Sequence, residues 1–283
     1  MIRRRHRRDV VILAYHNIVP KGAEVTGDRS LHLEQDAFAR QLDVLARTHE
    51  IMPLPLALSA GTARGNLPAA AITFDDAYAG AVTAGVSELA RRGLPATIFV
   101  APAFLDGRPF WWDALALEHP LGMPTKIRDR ALTKYRGDAA AILADVDSQG
   151  ALAARVPAHA RGAALHDLMS AARISGLTLA SHSWSHANLA VLDGPHLAAE
   201  LTRPLEWLRA RFANVLPYVS YPYGLSSPCV EQAAADAQYE AAFLIMGGWL
   251  HSPPVAPFAV PRVNIPSGSS IAGFQLRAAG LVR

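Results

Sequence analysis

Two adjacent acids, Asp75 and Asp76, come directly after a run of apolar and β-forming residues at positions 71–74. This pattern predicts a buried strand whose carboxyl end carries two carboxylates, at the edge where α/β folds keep their chemistry. Neighbouring carboxylates repel each other unless a cation or hydrogen-bond donors share their charge. The rest of the chain should therefore contain a partner for these acids.

Two histidines, His182 and His186, follow a second short apolar strand at 177–180. Two imidazoles and one carboxylate form a frequent ligand set for a catalytic divalent metal, with positions left open for water and substrate. The spacing lets both rings face one point from a helical turn or a tight loop. A histidine pair alone is more often a feature of a solvated surface. Its occurrence at a strand end, like the acid pair, favours a metal site.

Other segments must position these motifs. Residues 10–15 have a buried-strand pattern, and 34–48 and 79–92 have helical patterns. The alternation of strand and helix predicts parallel strands joined by crossovers. Residues 109–170 break this alternation, and we interpret them as a helical insertion. A later helix, at 195–212, contains Pro204, which we expect to bend or interrupt it.

The composition indicates a globular protein of 283 residues, and we expect one domain over 1–283. The net charge of +3 comes largely from arginines within 1–9, and it does not indicate nucleic-acid binding. We interpret 1–9 as a disordered basic tail, with contact to an anionic membrane surface as the alternative. The single Cys229 excludes an internal disulfide. No apolar run has the length of a membrane span or a signal peptide, so the default expectation is a cytoplasmic protein.

Three motifs together resemble those of the polysaccharide deacetylases, the NodB-homology family or carbohydrate esterase family 4. They are Thr73-Phe74-Asp75-Asp76, His182-Ser183-Trp184-Ser185-His186 and Tyr221-Pro222-Tyr223-Gly224, in the order of the family. The resemblance runs from about Val10 to Ile265. It implies a distorted (β/α)7-type barrel of mostly parallel strands, with the insertion over one face.

The end of the first predicted strand resembles one subgroup of this family. In the poly-N-acetylglucosamine deacetylase-like members, a Tyr-His pair on the first strand supplies an active-site imidazole, and here that pair is Tyr15-His16. The simpler interpretation of His16 is a strand-end imidazole bonded to nearby backbone.

The resemblance also implies a role for each residue that matches a motif. Asp76, His182 and His186 would hold one divalent metal, for which zinc is suited and cobalt or nickel could substitute. Asp75 would be the general base, and His16 would protonate the departing amine. The substrate side would comprise Tyr223, whose N–H stabilises the oxyanion, together with Pro222, Trp184 and Trp111. For Trp111 the alternative is an anchor of the insertion, and for the two acids it is capping of the next helix.

Two positions depart from the family pattern. Ala77 stands where the first motif usually ends in glycine, and Ser220 stands where many members have an arginine that pairs with the base. Arg262, on a late predicted strand, could supply that charge instead. The alternative for Arg262 is a surface salt bridge.

These features predict a hydrolase that removes N-acetyl groups from an amino-sugar polymer or a lipid-linked glycan precursor. The alternatives are the same site acting on an O-acetyl ester or a non-sugar amide, and a non-catalytic glycan-binding module. The presence of Asp75 beside a complete set of predicted metal ligands disfavours the binding module.

Overall fold

The fold is taken from a computed structural model, which describes residues 9–59, 67–119, 122–147, 149–251 and 253–282. Within these ranges the strands are β1 (Asp9–Tyr15), β2 (Asn17–Val19), β3 (His32–Glu34), β4 (Glu50–Ile51), β5 (Ala69–Phe74), β6 (Ala96–Val100), β7 (Leu177–Ser181), β8 (Val215–Ser220), β9 (Ala241–Gly247), β10 (Leu250–His251) and β11 (Val260–Asn264).

The helices alternate with these strands. They are α1 (Gln35–Thr48), α2 (Leu54–Ser59), α3 (Val86–Arg92), α4 (Trp111–Ala116), α5 (Thr125–Thr133), α6 (Ala139–Val146), α7 (Ala151–Arg155), α8 (Leu165–Ala171), α9 (Gly194–Arg209), α10 (Pro228–Asp236) and α11 (Ile271–Ala278). A π-helical segment, Ala81–Gly85, leads directly into α3.

Seven parallel strands close into a barrel, which confirms the predicted (β/α)7 architecture. The sheet runs β1-β11-β9-β8-β7-β6-β5, and β5 pairs with β1 to complete the circuit. The short strand β4 lies parallel to β5, and β10 lies antiparallel to β1. Strands such as β5 are buried along their whole length, as expected for parallel strands covered on both faces.

The predicted helical insertion is also confirmed. Helices α4 to α8 lie between β6 and β7 along the chain. The far end of the insertion returns to the segment after the two acids, because the N–H of Ala163 donates to the carbonyl of Ala77 at 3.0 Å. The insertion is therefore tied directly to the loop that carries the predicted chemistry.

Three local predictions need correction. The helix expected at 79–92 starts as the π-helical segment, and its glycines Gly80 and Gly85 allow close approach to Ile18. Pro204 does not interrupt α9, which runs continuously through it. The basic tail expected at 1–9 falls outside the described residues except for Asp9, which belongs to β1. None of the helices in the described part of the chain has the length and apolar character to span a bilayer.

Candidate active site

The acids follow β5 at the carboxyl edge of the barrel, as predicted. The N–H of Asp75 donates to the carbonyl of Tyr15 on β1 at 2.9 Å, which continues the strand pairing by one residue. Asp76 and Ala77 then both adopt left-handed backbone conformations, with φ of 71° and 53°. This turn sends the two buried carboxylates in different directions. Ala77 adopts the geometry that glycine favours, at a cost of about 1 kcal/mol.

Asp76 and the two histidines of the second motif converge on one point. The Oδ1 atom of Asp76 lies 3.1 Å from Nε2 of His186 and 3.4 Å from Nε2 of His182. One ligand atom from each of the three buried residues lies within 4.8 Å of the others. Oδ1 of Asp76 is buried and has no hydrogen-bond partner among the described residues. Two imidazole nitrogens and an unsatisfied carboxylate oxygen are a donor set that fits a divalent cation.

Charge and hydrogen bonding prepare these groups to act as ligands. Burial alone would favour the neutral acid, but the imidazoles of His186 and His182 hold the pKa of Asp76 far below its usual value. Nδ1 of His182 lies 2.8 Å from the backbone carbonyl of Ser220. Since a carbonyl only accepts, Nδ1 carries a proton. When the ring gives up its second proton, as a metal ligand must, the lone pair is therefore on Nε2, which faces Asp76.

The histidines lie on a tight loop rather than on a helical turn. Ser183 and His186 have φ of 61° and 56°, and the N–H of His186 donates to Oγ of Ser183 at 3.0 Å. Helix α9 holds this loop through Glu200, whose carboxylate accepts from the N–H groups of Trp184 at 3.0 Å and Ser185 at 2.8 Å.

Pro204 contributes to this docking of the loop on α9. Proline has no N–H, so it cannot donate to the carbonyl of Glu200, four residues earlier in the helix. That carbonyl accepts from the N–H of Trp184 instead, at 3.1 Å. The proline that we expected to bend or interrupt the helix therefore leaves an acceptor for the histidine loop.

Asp75 forms a buried ion pair with Arg262. Nη1 of Arg262 lies 2.8 Å from Oδ1 of Asp75, and Nη2 lies 2.6 Å from Oδ2. The remaining guanidinium N–H groups donate to the carbonyl of Leu244, Oγ1 of Thr73 and Oγ of Ser220, so all five are used. Arg262 is fully buried, so its interpretation as a surface salt bridge is wrong.

The ion pair lowers the pKa of Asp75. Burial would raise the pKa of Asp75, but the positive charge of Arg262, with a smaller contribution from His182, outweighs burial and lowers it. Asp75 is therefore an ionised carboxylate beside the three converging ligands. Ser220 does not carry the charge, but its hydroxyl also donates to Oδ2 of Asp75, at 3.2 Å.

His16 follows β1 at the same edge of the barrel. The strand register pairs Tyr15 with Phe74, which places His16 beside Asp75. Burial lowers the pKa of His16 below its usual value, although the charges of Asp76 and Asp75 partly oppose this effect. The strand-end position is as predicted, and it brings an imidazole near the acids.

The third motif packs against the second. Tyr223 has a left-handed conformation with φ of 59°, and its ring meets that of His186 edge-to-face at 4.6 Å. Pro222 is buried and opens the short turn that contains Tyr223. The turn thus places the ring of Tyr223 against a histidine of the ligand cluster.

The two tryptophans predicted on the substrate side differ in exposure, since Trp111 is buried and Trp184 is half-buried. Trp111 is 2% exposed, so it cannot be an open platform for a sugar ring. Its Nε1 donates to the hydroxyl of Tyr223 at 3.1 Å, which makes it an anchor of the insertion. The guanidinium of Arg203 lies 4.0 Å from the Trp184 ring centroid, so the ring packs on α9. Sequence reasoning missed Glu200, because nothing local marks a helical acid as the partner of a distant loop.

The family of the chain follows from comparison with known proteins. Residues 63–242, more than half of the chain, match the sequence model described as Polysaccharide deacetylase. The chain therefore belongs to the polysaccharide deacetylase family. A search of curated proteins found no match.

Solved structures share the fold. The Streptococcus pyogenes deacetylase PplD, in complex with acetate, has a TM-score of 0.65 and 16% identity, over 95% of this chain and 98% of that chain. IcaB from Ammonifex degensii has a TM-score of 0.66 and 16% identity, over 96% and 97%. The Bacillus cereus polysaccharide deacetylase BC0361 has a TM-score of 0.64 and 15% identity, over 95% and 69%. At these identities the likeness shows the fold alone.

Proposed function

We propose that this protein is a metal-dependent hydrolase that removes N-acetyl groups from an amino-sugar polymer or a glycan precursor. The observation that carries the proposal is the unsatisfied Oδ1 of Asp76, which faces Nε2 of both His182 and His186 in a buried cluster. An ionised Asp75 lies beside that cluster. Membership of the polysaccharide deacetylase family supports the glycan substrate.

The proposed ligands are Asp76, His182 and His186, with zinc as the ion and cobalt or nickel as substitutes. A divalent ion bound there supplies a Lewis acid that polarises the acetyl carbonyl and lowers the pKa of water. An acetamide is an unactivated amide, so its hydrolysis needs both effects.

Asp75 is the proposed general base. Arg262 and Ser220 occupy three acceptor positions of its carboxylate, which has about four. One acceptor position on Oδ1 is therefore open to a water molecule. The ion pair with Arg262 keeps the carboxylate ionised and fixes the orientation of its plane. A general base must be both ionised and correctly oriented before the substrate binds.

The remaining roles concern the amine and the oxyanion. His16 is proposed to protonate the departing amine. Burial lowers its pKa, so the ring is mainly neutral at pH 7 and must first take up a proton, and the imidazolium it then forms is a stronger acid than an ordinary histidine. The N–H of Tyr223 is proposed to stabilise the negative charge that develops on the acetyl oxygen. The Tyr223 ring and Pro222 would wall the acetyl pocket.

The test is acetate release from chitin oligomers, poly-N-acetylglucosamine and peptidoglycan fragments. We expect activity that chelation abolishes and zinc restores. Asp75→Asn should lower kcat by about 10²–10⁴-fold. Asp36→Asn, an equivalent change at an exposed acid of α1, is the matched control and should leave the rate unchanged.

Two results would contradict the proposal. One is normal hydrolysis after exhaustive chelation. The other is release of acetate from acetylxylan but from none of the N-acetylated sugars, which would indicate an O-acetyl esterase.

A further inference from the structure

The two histidines of the cluster are oriented in different ways. Nδ1 of His182 is held by the carbonyl of Ser220, whereas Nδ1 of His186 is buried and has no hydrogen-bond partner in the part of the chain that the structure describes. A histidine that binds a metal almost always donates its remote N–H to a second group, and this bond sets the angle of the ring. Something else must set the angle of His186.

Aromatic rings surround His186. The ring of Trp112 lies 4.7 Å from it, centroid to centroid, and that of Tyr223 lies 4.6 Å away on another side. The ring of Phe104 meets it edge-on at 6.4 Å. Packing of these rings, rather than a hydrogen bond at Nδ1, therefore restricts rotation of the His186 imidazole.

Trp112 is itself held by a chain of buried hydrogen bonds. Nε1 of Trp112 donates to the hydroxyl of Tyr78 at 2.7 Å, and that hydroxyl lies 2.8 Å from Oδ2 of Asp113. An indole N–H only donates, so Tyr78 accepts from Trp112 and gives its own single proton to Asp113. The donor and the acceptor of each hydrogen bond in this network are therefore fixed.

Asp113 anchors this series of hydrogen bonds. It is fully buried, and its Oδ1 accepts from Nε2 of His32 at 2.7 Å and from the N–H of Asp28 at 2.8 Å. A buried carboxylate with these partners is held firmly, because loss of any of them leaves a desolvated charge unsatisfied. None of these atoms belongs to the ligand cluster or to the proposed base and acid.

We propose that Asp113, acting through Tyr78 and Trp112, is a positioning residue that sets the orientation of His186 and thereby the affinity of the cluster for its divalent ion. This proposal rests on the metal centre of the proposed function. The segment 111–113 also links all three motifs. Trp111 bonds to Tyr223 of the third motif, Trp112 packs on His186 of the second, and Asp113 bonds to Tyr78, two residues after Asp76.

The test is a zinc titration against a chromophoric chelator, with wild type, Tyr78→Phe and Asp113→Asn. Loss of a group that orients a ligand typically weakens metal binding by about 10–100-fold, so we expect a Kd increase of about that size in both variants. The visible spectrum of the cobalt-loaded protein should change as well, because it reports the geometry around the ion. Tyr78→Phe keeps the ring and removes only the hydroxyl, so the fold should be retained.

The matched control is Tyr15→Phe. Tyr15 is as deeply buried as Tyr78, and its hydroxyl donates to Gln41 at 3.0 Å, away from the cluster. Tyr78→Phe loses two buried hydrogen bonds and Tyr15→Phe loses one, so both variants should lower the Tm, Tyr78→Phe by more. Only Tyr78→Phe should weaken zinc binding, whereas Tyr15→Phe should keep the Kd within about twofold.

The outcomes separate this inference from the proposed function. If wild type binds zinc and both Tyr78→Phe and Asp113→Asn bind it with unchanged affinity and an unchanged cobalt spectrum, the network is only structural and the inference is wrong. If wild type binds no divalent ion, the metal centre itself is wrong, and the inference fails with it.

Discussion

Replacement of Arg262 by methionine would remove the guanidinium from a fully buried pair. It would take away two charge-assisted bonds to Asp75, at 2.8 and 2.6 Å, and leave Asp75 with only Ser220 as a donor. Charge-assisted bonds contribute about 1.5–3 kcal/mol each, and breaking one side of a buried ion pair costs about 3–5 kcal/mol. We therefore expect the free energy of unfolding to fall by about 3–5 kcal/mol.

The double variant tests whether the uncompensated charge causes this loss. In Arg262→Met with Asp75→Asn both members of the pair are neutral, so this protein should be more stable than Arg262→Met alone, by about 1–3 kcal/mol. Arg262→Lys keeps the charge but loses the planar fork, and its stability should lie between those of Arg262→Met and wild type. Urea unfolding of the metal-free proteins measures all four stabilities.

The pH dependence should change as well. Because Arg262 lowers the folded pKa of Asp75, the pair stabilises the fold above the unfolded pKa, and this contribution is lost as pH falls through the folded pKa. Without Arg262, burial raises the pKa, so the acid limb of kcat/KM should move to higher pH. A loss of stability below about 1 kcal/mol, with an unchanged pH profile, would refute this reasoning.

Two further predictions concern residues outside the ligand cluster. Burial would lower the pKa of His32, but the Asp113 carboxylate outweighs it and raises the pKa. The stability that wild type has over His32→Gln should therefore be largest below about pH 6.5 and decline as pH rises through the folded pKa; a difference that grows with pH would contradict this. A methyl group at Gly162 would overlap the carbonyl of Phe104, whereas one at Gly268 has open space. Gly162→Ala should thus lower the unfolding free energy by about 1–3 kcal/mol or more, and Gly268→Ala by less than about 0.5 kcal/mol, in thermal unfolding; equal effects would show that the close contact is not rigid.

Local patterns predict much of the site. An apolar run that ends in polar residues indicates a buried strand whose carboxyl end carries candidate functional residues, as at Asp75 and His182. Parallel strands bring such ends to one edge of the barrel, so the meeting of Asp76 with the histidines follows from strand order alone. The same patterns did not decide between a sugar platform and an anchor for Trp111, and they did not show that α9 continues through Pro204, because neither exposure nor long-range bonding is a local property.

The sequence by itself determined the alternation of strands and helices, the acids and histidines, and their places at strand ends, since these depend on hydrophobic periodicity and spacing. The barrel class was implied by the resemblance to a known family. Only the tertiary structure decided which distant groups support them. Arg262 and Asp75 are separated by 187 positions, and Trp112 meets His186 from an insertion whose packing follows no periodic pattern. Such contacts depend on how whole elements pack in three dimensions, which the spacing of residues along one element does not encode.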